Sequence, residues 1–282
     1  MHIPVLAREV LEGLSLKPNE TVIDGTLGAG GHAALMLEAV SPNGKLVGFD
    51  RDGRNIEISK KNLERFGERL SAINDSFANM ETYGLQADAI LLDLGFSSMH
   101  VDDAKRGFSF MYDGPLDMRY DLRGDITAAD IVNSWSRDDL ATLFRRYGEE
   151  PKAQIIAKAI TEARKEKKFV TTLDLADVVA AVVPRRGKLH PATFVFQALR
   201  IAVNDELGEL EKGLQAAEKV LKAGGRIAII TFHSLEDRIV KQFFKESSVL
   251  ETVTKKPLVP GRTEVLDNPR SRSAKLRIAK KN

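Results

Sequence analysis

Four short apolar runs fall within the first hundred residues, at 21–24, 45–50, 70–74 and 87–94, each bounded by Asp, Asn or Gly. Runs of this length with such boundaries predict buried strands. Between them, 32–40 and 55–66 repeat their apolar residues at helical spacing. Strand and helix alternating at this interval constrain the chain to an α/β fold, a doubly wound parallel sheet with helices on both faces. The pattern changes after Gly95. Residues 103–120 are rich in Gly, Asp, Phe and Met without periodicity, and amphipathic helical spacing follows at 136–147, 151–165 and 172–183. Thr127 with Asp130 and Ser136 with Asp139 match capping boxes. Residues 103–189 therefore read as an inserted all-helical domain, with 1–102 and 190–282 forming the sheet domain. A long helical stretch, 191–221, leads back to a strand at 226–231. Ser234 with Asp237 is expected to cap the next helix, and the last strands are expected near 249–254 and 276–279.

The first strand runs into Asp24-Gly25-Thr26-Leu27-Gly28-Ala29-Gly30-Gly31-His32. Strand, glycine-rich turn and helix form the usual entry to a nucleotide-type cofactor site. Gly28, Gly30 and Ala33 also satisfy the dinucleotide pattern G-x-G-x-x-A, so the turn alone fits two cofactors. Three features favour S-adenosylmethionine. Asp24 lies four residues before Gly28, Asp75-Ser76-Phe77 follows the third strand with an aromatic able to cover an adenine, and the fourth strand ends in Asp93-Leu94-Gly95-Phe96. This last motif resembles the D-P-P-Y box of amino-group methyltransferases. Asp93, or the carbonyls of Leu94 and Gly95, can accept hydrogen bonds from an exocyclic base amine and favour its nucleophilic form. Asp50, at the end of the second strand, suits ribose hydroxyls. All of these positions converge on the carboxyl edge of the sheet.

Composition narrows the class. The 282 residues contain no cysteine, which excludes disulfides, thiol nucleophiles and thiolate zinc sites. The five histidines show no metal-ligand spacing, and no metal is expected. No apolar run is long enough to span a bilayer, and no signal peptide is recognisable, so a cytoplasmic location without membrane contact is expected. The net charge of +2 is uneven: residues 255–282 hold nine Lys or Arg against Glu264 and Asp267, which leaves the rest of the chain acidic. A basic segment on an acidic body points to a polyanionic partner, or to a solvated tail.

Taken in order, the motifs resemble the ribosomal RNA small subunit methyltransferase H family over nearly the whole chain. The matching stretches are His2-Ile3-Pro4-Val5-Leu6, Asp24 to His32, Leu91-Leu92-Asp93-Leu94-Gly95, Arg106-Gly107-Phe108-Ser109-Phe110 and Asp113-Gly114-Pro115-Leu116-Asp117-Met118-Arg119. They continue with Tyr147-Gly148-Glu149-Glu150, His190-Pro191-Ala192-Thr193, Phe196-Gln197-Ala198-Leu199-Arg200-Ile201, Asn204-Asp205-Glu206-Leu207, Phe232 to Arg238 and Asn268-Pro269-Arg270-Ser271-Arg272-Ser273. The resemblance implies a class I S-adenosylmethionine-dependent methyltransferase with an inserted helical substrate-recognition domain. The implied activity is methylation of the N4 amine of a cytidine in the decoding region of 16S rRNA, by direct transfer to an unstacked base. The implied partner is 16S rRNA within the small ribosomal subunit, with the oligomeric state open between monomer and homodimer. By motif position the implied cofactor contacts are Gly30, Gly31, His32, Asp50, Phe77, Asp93 and His100, the last standing where the family usually has Gln. Phe96 and Phe194 likewise replace the family's usual Val and Arg.

Asp93 and His233 are the candidate catalytic residues; Arg106, Arg119, Arg200 and Ser234 are candidate substrate contacts, the arginines through phosphates. Each has a plainer alternative. Ser234 suits a helix cap, His233 a buried and satisfied histidine, and Phe108 and Phe110 anchors of the insertion's core. Asp113, Asp117 and Glu149 are expected to orient the arginines or line the base pocket. Two other functions fit parts of the sequence. An NAD(P)-dependent oxidoreductase would use the G-x-G-x-x-A match, and a non-catalytic rRNA-binding factor would keep the fold alone; the intact set Asp24, Asp50 and Asp93 argues against the second.

Overall fold

The computed structural model describes residues 4–95, 103–185, 187 and 189–282, in two compact units, Met1–Gly95 with Leu207–Asn282 and Phe96–Glu206. In the first unit the expected strands form in the expected order: β1 (Thr21–Asp24), β2 (Lys45–Phe49), β3 (Leu70–Ile73) and β4 (Ala87–Asp93). With β5 (Leu221–Thr231), β6 (Leu250–Thr252) and β7 (Lys275–Lys281) they make one seven-stranded sheet in the order β3-β2-β1-β4-β5-β7-β6. The first five strands pair in parallel, whereas β7 runs antiparallel to both β5 and β6.

The continuous apolar character of these strands follows from burial on both faces. Alternate side chains enter opposite cores. Val22, Leu46, Ala89, Leu91, Ala228 and Ile230 pack with α1 (Ala7–Leu14) and α2 (Gly31–Ala39). Ile23, Ile90, Leu92, Ile227 and Ile229 pack with α9 (Glu206–Val220) and α10 (Ser234–Glu246). A short helix, α3 (Gly53–Asn62), joins β2 to β3. The outcome for the C-terminus is specific. β7 is an interior strand, because 250–252 adds outside it.

The second unit has its own core. It contains α4 (Ala128–Ser134), α5 (Arg137–Gly148), α6 (Ala153–Glu166), α7 (Thr172–Val182) and α8 (Thr193–Asn204). Thr127 and Asp130 form the expected capping box, and Ser136 accepts from the Asp139 N–H at 3.1 Å. Ile131, Leu140, Phe144, Ile156, Ile160, Leu175 and Val179 make the core, joined by Phe108, Leu116 and Met118 from the irregular stretch that precedes α4. Phe108 stacks on Tyr120, and Phe110 packs edge-on against Phe196, so both aromatics anchor this unit. The boundary anticipated between 189 and 190 falls inside the unit, since α8 contributes Val195, Phe196, Ala198 and Leu199 to the same core. The helix expected over 191–221 is two helices. Asp205, at φ 48, ends α8 in the left-handed region, and α9 begins at Glu206.

Candidate active site

The carboxyl ends of β1 and β4 are neighbours, with Asp24 in register with Leu91. Thr26 ties them together. Its N–H and hydroxyl donate to Asp24 Oδ1 at 3.1 and 3.5 Å, and its Oγ1 accepts from the Asp93 N–H at 2.7 Å. Asp50, just past β2, supports the turn from the other side. Its Oδ2 accepts from the Gly28 N–H at 2.9 Å and from the Asn55 side-chain amide at 3.0 Å, while Oδ1 accepts from the Asp52 N–H at 2.8 Å. Gly28 and Gly30 have φ of 52° and 86°. A side chain there would be strained, so the two motif glycines serve a backbone need. Gly30 precedes the first residue of α2 without a side-chain cap, leaving early helical N–H groups turned to the glycine turn.

His32 and Phe77 complete the group. His32, on the first turn of α2, is buried, with Nε2 3.8 Å from Asp93 Oδ2. Phe77 follows Ser76, whose Oγ accepts from the Ala78 N–H and whose hydroxyl bonds Glu209. The Phe77 ring lies against Gly213 of α9, where a Cβ would come within 2.2 Å of it. Only glycine at 213 lets the ring reach over the end of β1, beside Gly25. Thr26 and Gly213 were not singled out from the sequence. The Asp-x-Thr spacing, typical of a carboxylate that bonds a backbone N–H two residues on, was the available signal for Thr26.

The electrostatics distinguish the cofactors. Asp24 is 1% exposed, and burial, reinforced by the charge of Asp50, pushes its carboxyl up to about 7. Burial, then the charges of Asp24 and Glu236, pushes Asp93 up to about 7 as well. Carboxyls raised in this way hold protons that a cationic ligand displaces, because a nearby positive charge favours their ionised form. The sulfonium and ammonium groups of S-adenosylmethionine are such a ligand, whereas a dinucleotide pyrophosphate would add to the repulsion. Asp93 Oδ1 is also buried without a hydrogen-bond partner among the described residues. A buried acceptor of this kind is ready for a ligand donor.

The strand next to β4 brings a second group to the same edge. β5 ends at Thr231, and Asp93 is in register with Ile230. His233 is the N-cap of α10, where Nδ1 accepts from the Glu236 N–H at 3.4 Å and Glu236 Oε2 accepts from the N–H groups of Phe232 (2.8 Å) and His233 (3.3 Å). The capping box is therefore His233 with Glu236, one residue earlier than the expected Ser234 with Asp237. An imidazole nitrogen can accept the N-cap hydrogen bond as a hydroxyl does. His233 Nε2 lies 3.1 Å from Glu236 Oε1, off the line that a hydrogen bond needs. Ser234 is the first residue of α10 rather than its cap. Asp237 bonds Arg277 and Lys275.

Arg106, Arg119 and Arg200 lie in the other unit, and two of them correct the phosphate expectation. Arg106 is 4% exposed and donates to the carbonyls of Arg119 (2.7 Å) and Tyr120 (3.0 Å). Arg200 is 7% exposed and pairs with Glu206 at 2.9 Å. Side chains so enclosed hold their unit together instead of meeting a phosphate. Arg119 is oriented by Asp117, as expected, through two 2.8 Å bonds. Burial works to raise the Asp117 carboxyl, but the Arg119 hydrogen bonds outweigh it and hold the group below its usual range. Glu149 is the left-handed C-cap of α5, with φ 50. His100 and Phe96 lie outside the described residues.

Comparison with known proteins agrees with this geometry. The family model of the MraW methylase family matches residues 1–282. A ribosomal RNA small subunit methyltransferase H from Elusimicrobium minutum is 50% identical, over 99% of this chain and 98% of its own length. A protein of the same name from Nostoc sp. is 48% identical, over 99% of this chain and 92% of its own. Among solved structures, a candidate rRNA methylase from Clostridium thermocellum superimposes over all of both chains with a TM-score of 0.51 at 14% identity, a likeness of fold. The sheet is that of the class I methyltransferases, its acidic, glycine-turned edge suits a sulfonium donor, and S-adenosylmethionine is the cofactor. With a match that spans every residue and relatives near half identity, the chain belongs to the MraW methylase family.

Proposed function

We propose that this chain methylates the exocyclic N4 amine of a cytidine in the decoding region of 16S rRNA, with the small ribosomal subunit as substrate and the cytoplasm as the place of action. The observation that carries the proposal is Asp93. It ends β4 with one buried oxygen that has no partner among the described residues, beside the glycine turn that Thr26 ties to it. The full-length relatives named for small subunit rRNA methylation support the choice of substrate.

S-adenosylmethionine, when bound, supplies a methyl group activated on a sulfonium. Gly30, Gly31, His32, Asp50 and Phe77 are the residues that would hold it, with Asp50 on the ribose and Phe77 on the adenine. The chain's remaining task is to present the amine. The lone pair of an exocyclic amine is delocalised into the base. Asp93 accepts one amine N–H at Oδ1, which favours the pyramidal form and leaves the lone pair free. The same carboxylate is placed to take the proton that the amine releases. Holding the two reactants in line provides most of the acceleration. His233, fixed as a helix cap at the end of the adjacent strand, contacts the cytidine at the same edge.

The test is incubation of the protein with labelled S-adenosylmethionine and small subunits that lack the modification, followed by mass spectrometric mapping. Label at N4 of one cytidine is expected. Label on another base, or on a ring carbon, overturns the assignment.

A further inference from the structure

The basic C-terminal run divides in two. Three of its cations are engaged inside the sheet unit. Arg277 and Lys275 bond Asp237, and Lys281 bonds the carbonyls of Glu218 and Leu221. These hold β7 in place. By contrast, Lys255, Lys256, Arg262 and Arg272 are exposed, and no ion pair engages them among the described residues. They flank two exposed apolar side chains, Val259 and Leu266. Arg270 is exposed in the same stretch. Glu264, one of the two acids here, is occupied: its Oε1 accepts from the Leu6 N–H at 2.7 Å.

Three contacts place this stretch at the edge that holds the active site. First, β7 begins where β5 ends, with Lys275 in register with Thr231, and Leu258 bridges Leu276 through reciprocal bonds of 2.9 and 2.8 Å. Residues 258–275 therefore start and finish at the carboxyl edge. Second, Asn268 accepts from the Ser271 N–H and Ser271 from the Ala274 N–H, which folds the arginine-bearing loop onto the start of β7. Third, the Glu264 bond to Leu6 joins α11 (Arg262–Asp267) to the N-terminal segment, and Pro4 of that segment packs on Gly31 of the donor turn, 2.9 Å from where a Cβ would stand.

We infer that residues 255–272 form a phosphate-binding rim, which grips the backbone of the rRNA strand whose base enters the site beside Asp93. The inference rests on the rRNA reading above and adds the surface that performs the gripping. Unpaired, flexible cations are the groups that exchange condensed counterions for phosphates. Val259 and Leu266 offer apolar surface for ribose and base faces. The rim is a segment containing α11 and anchored at its ends by β6 and β7, so its cations can meet a strand without disturbing the sheet.

The experiment measures binding of a fluorescent small subunit rRNA fragment across a salt series, using the full chain. The test variant combines Lys255→Gln, Lys256→Gln, Arg262→Gln and Arg272→Gln. The control variant combines Lys17→Gln and Lys45→Gln, exposed cations that precede β1 and begin β2 at the opposite edge. Each lost phosphate contact should lower the slope of log K against log salt by about 0.7, so the fourfold variant should lose about 3 from the slope. The control should keep the wild-type slope, and all proteins should keep the same melting temperature and the same affinity for S-adenosylhomocysteine. A folded fourfold variant with the wild-type slope overturns the rim. A wild-type protein that binds the fragment at no salt concentration overturns the rRNA reading itself, and the rim with it.

Discussion

Asp93→Asn should stabilise the free protein at neutral pH while abolishing its function. In the free protein the Asp93 carboxyl is pushed up to about 7 from an ordinary 3.8, first by burial and then by Asp24. A native-state value above the unfolded one means that the folded protein keeps a proton that the unfolded chain gives up. The stability this confers is full below about pH 4 and is lost as pH rises through about 7. That displacement of the carboxyl corresponds to on the order of 4 kcal/mol. The Asp93 side chain is 24% exposed, and solvent screening reduces the figure to roughly 2 kcal/mol. Asparagine keeps the acceptor oxygen for the Gly95 N–H, matches the shape and removes the charge. At pH 8 the variant should therefore melt about 4 °C higher than the wild type, at about 2 °C per kcal/mol for a chain of this size. Near pH 4 the two should melt together. Thermal unfolding followed by circular dichroism at both pH values, without donor, is the assay. Equal differences at the two pH values, or a lower melting temperature at pH 8, would refute the claim that a destabilising charge is held at this site. Methyl transfer should be lost in the same variant, since sites that need strained charges give up stability for function.

Binding of the cationic donor should lower both raised carboxyls, so association near pH 7 should release protons and tighten as pH rises. Calorimetry in two buffers of different ionisation enthalpy reads this directly, and a buffer-independent heat would oppose it. Gly30→Ala should destabilise the protein by about 1–2 kcal/mol and weaken donor binding, because φ is 86° and a Cβ would press on Leu63 at 2.8 Å; wild-type denaturant midpoint and affinity would count against that need. His233→Ala should lose the α10 cap, about 1 kcal/mol, whereas His233→Asn should restore it. Methyl transfer that returns with asparagine would reduce His233 to a cap; transfer that stays absent at wild-type stability supports its contact with the base.

The sequence by itself determined the sheet and its cofactor edge. Strands buried on both faces must be apolar along their whole length, and the turn that follows β1 must carry glycine where φ is positive, so both are written locally. Asp24, Asp50 and Asp93 were legible for the same reason, as each lies at the end of its own strand. Only the tertiary structure decided the rest. Charge along the chain could not separate Arg277, sealed against Asp237, from Arg262 and Arg272 on the surface, because the partner lies 40 residues away on another element. Arg106 and Arg200 read as phosphate ligands until their burial was known, since a guanidinium suits a carbonyl or a carboxylate as well as a phosphate. The cap of α10 shifted from Ser234 to His233 because Glu236, rather than Asp237, folds back on the chain before it. Likewise β7 became an interior strand only when 250–252 paired outside it, a contact whose register depends on residues far apart in the chain.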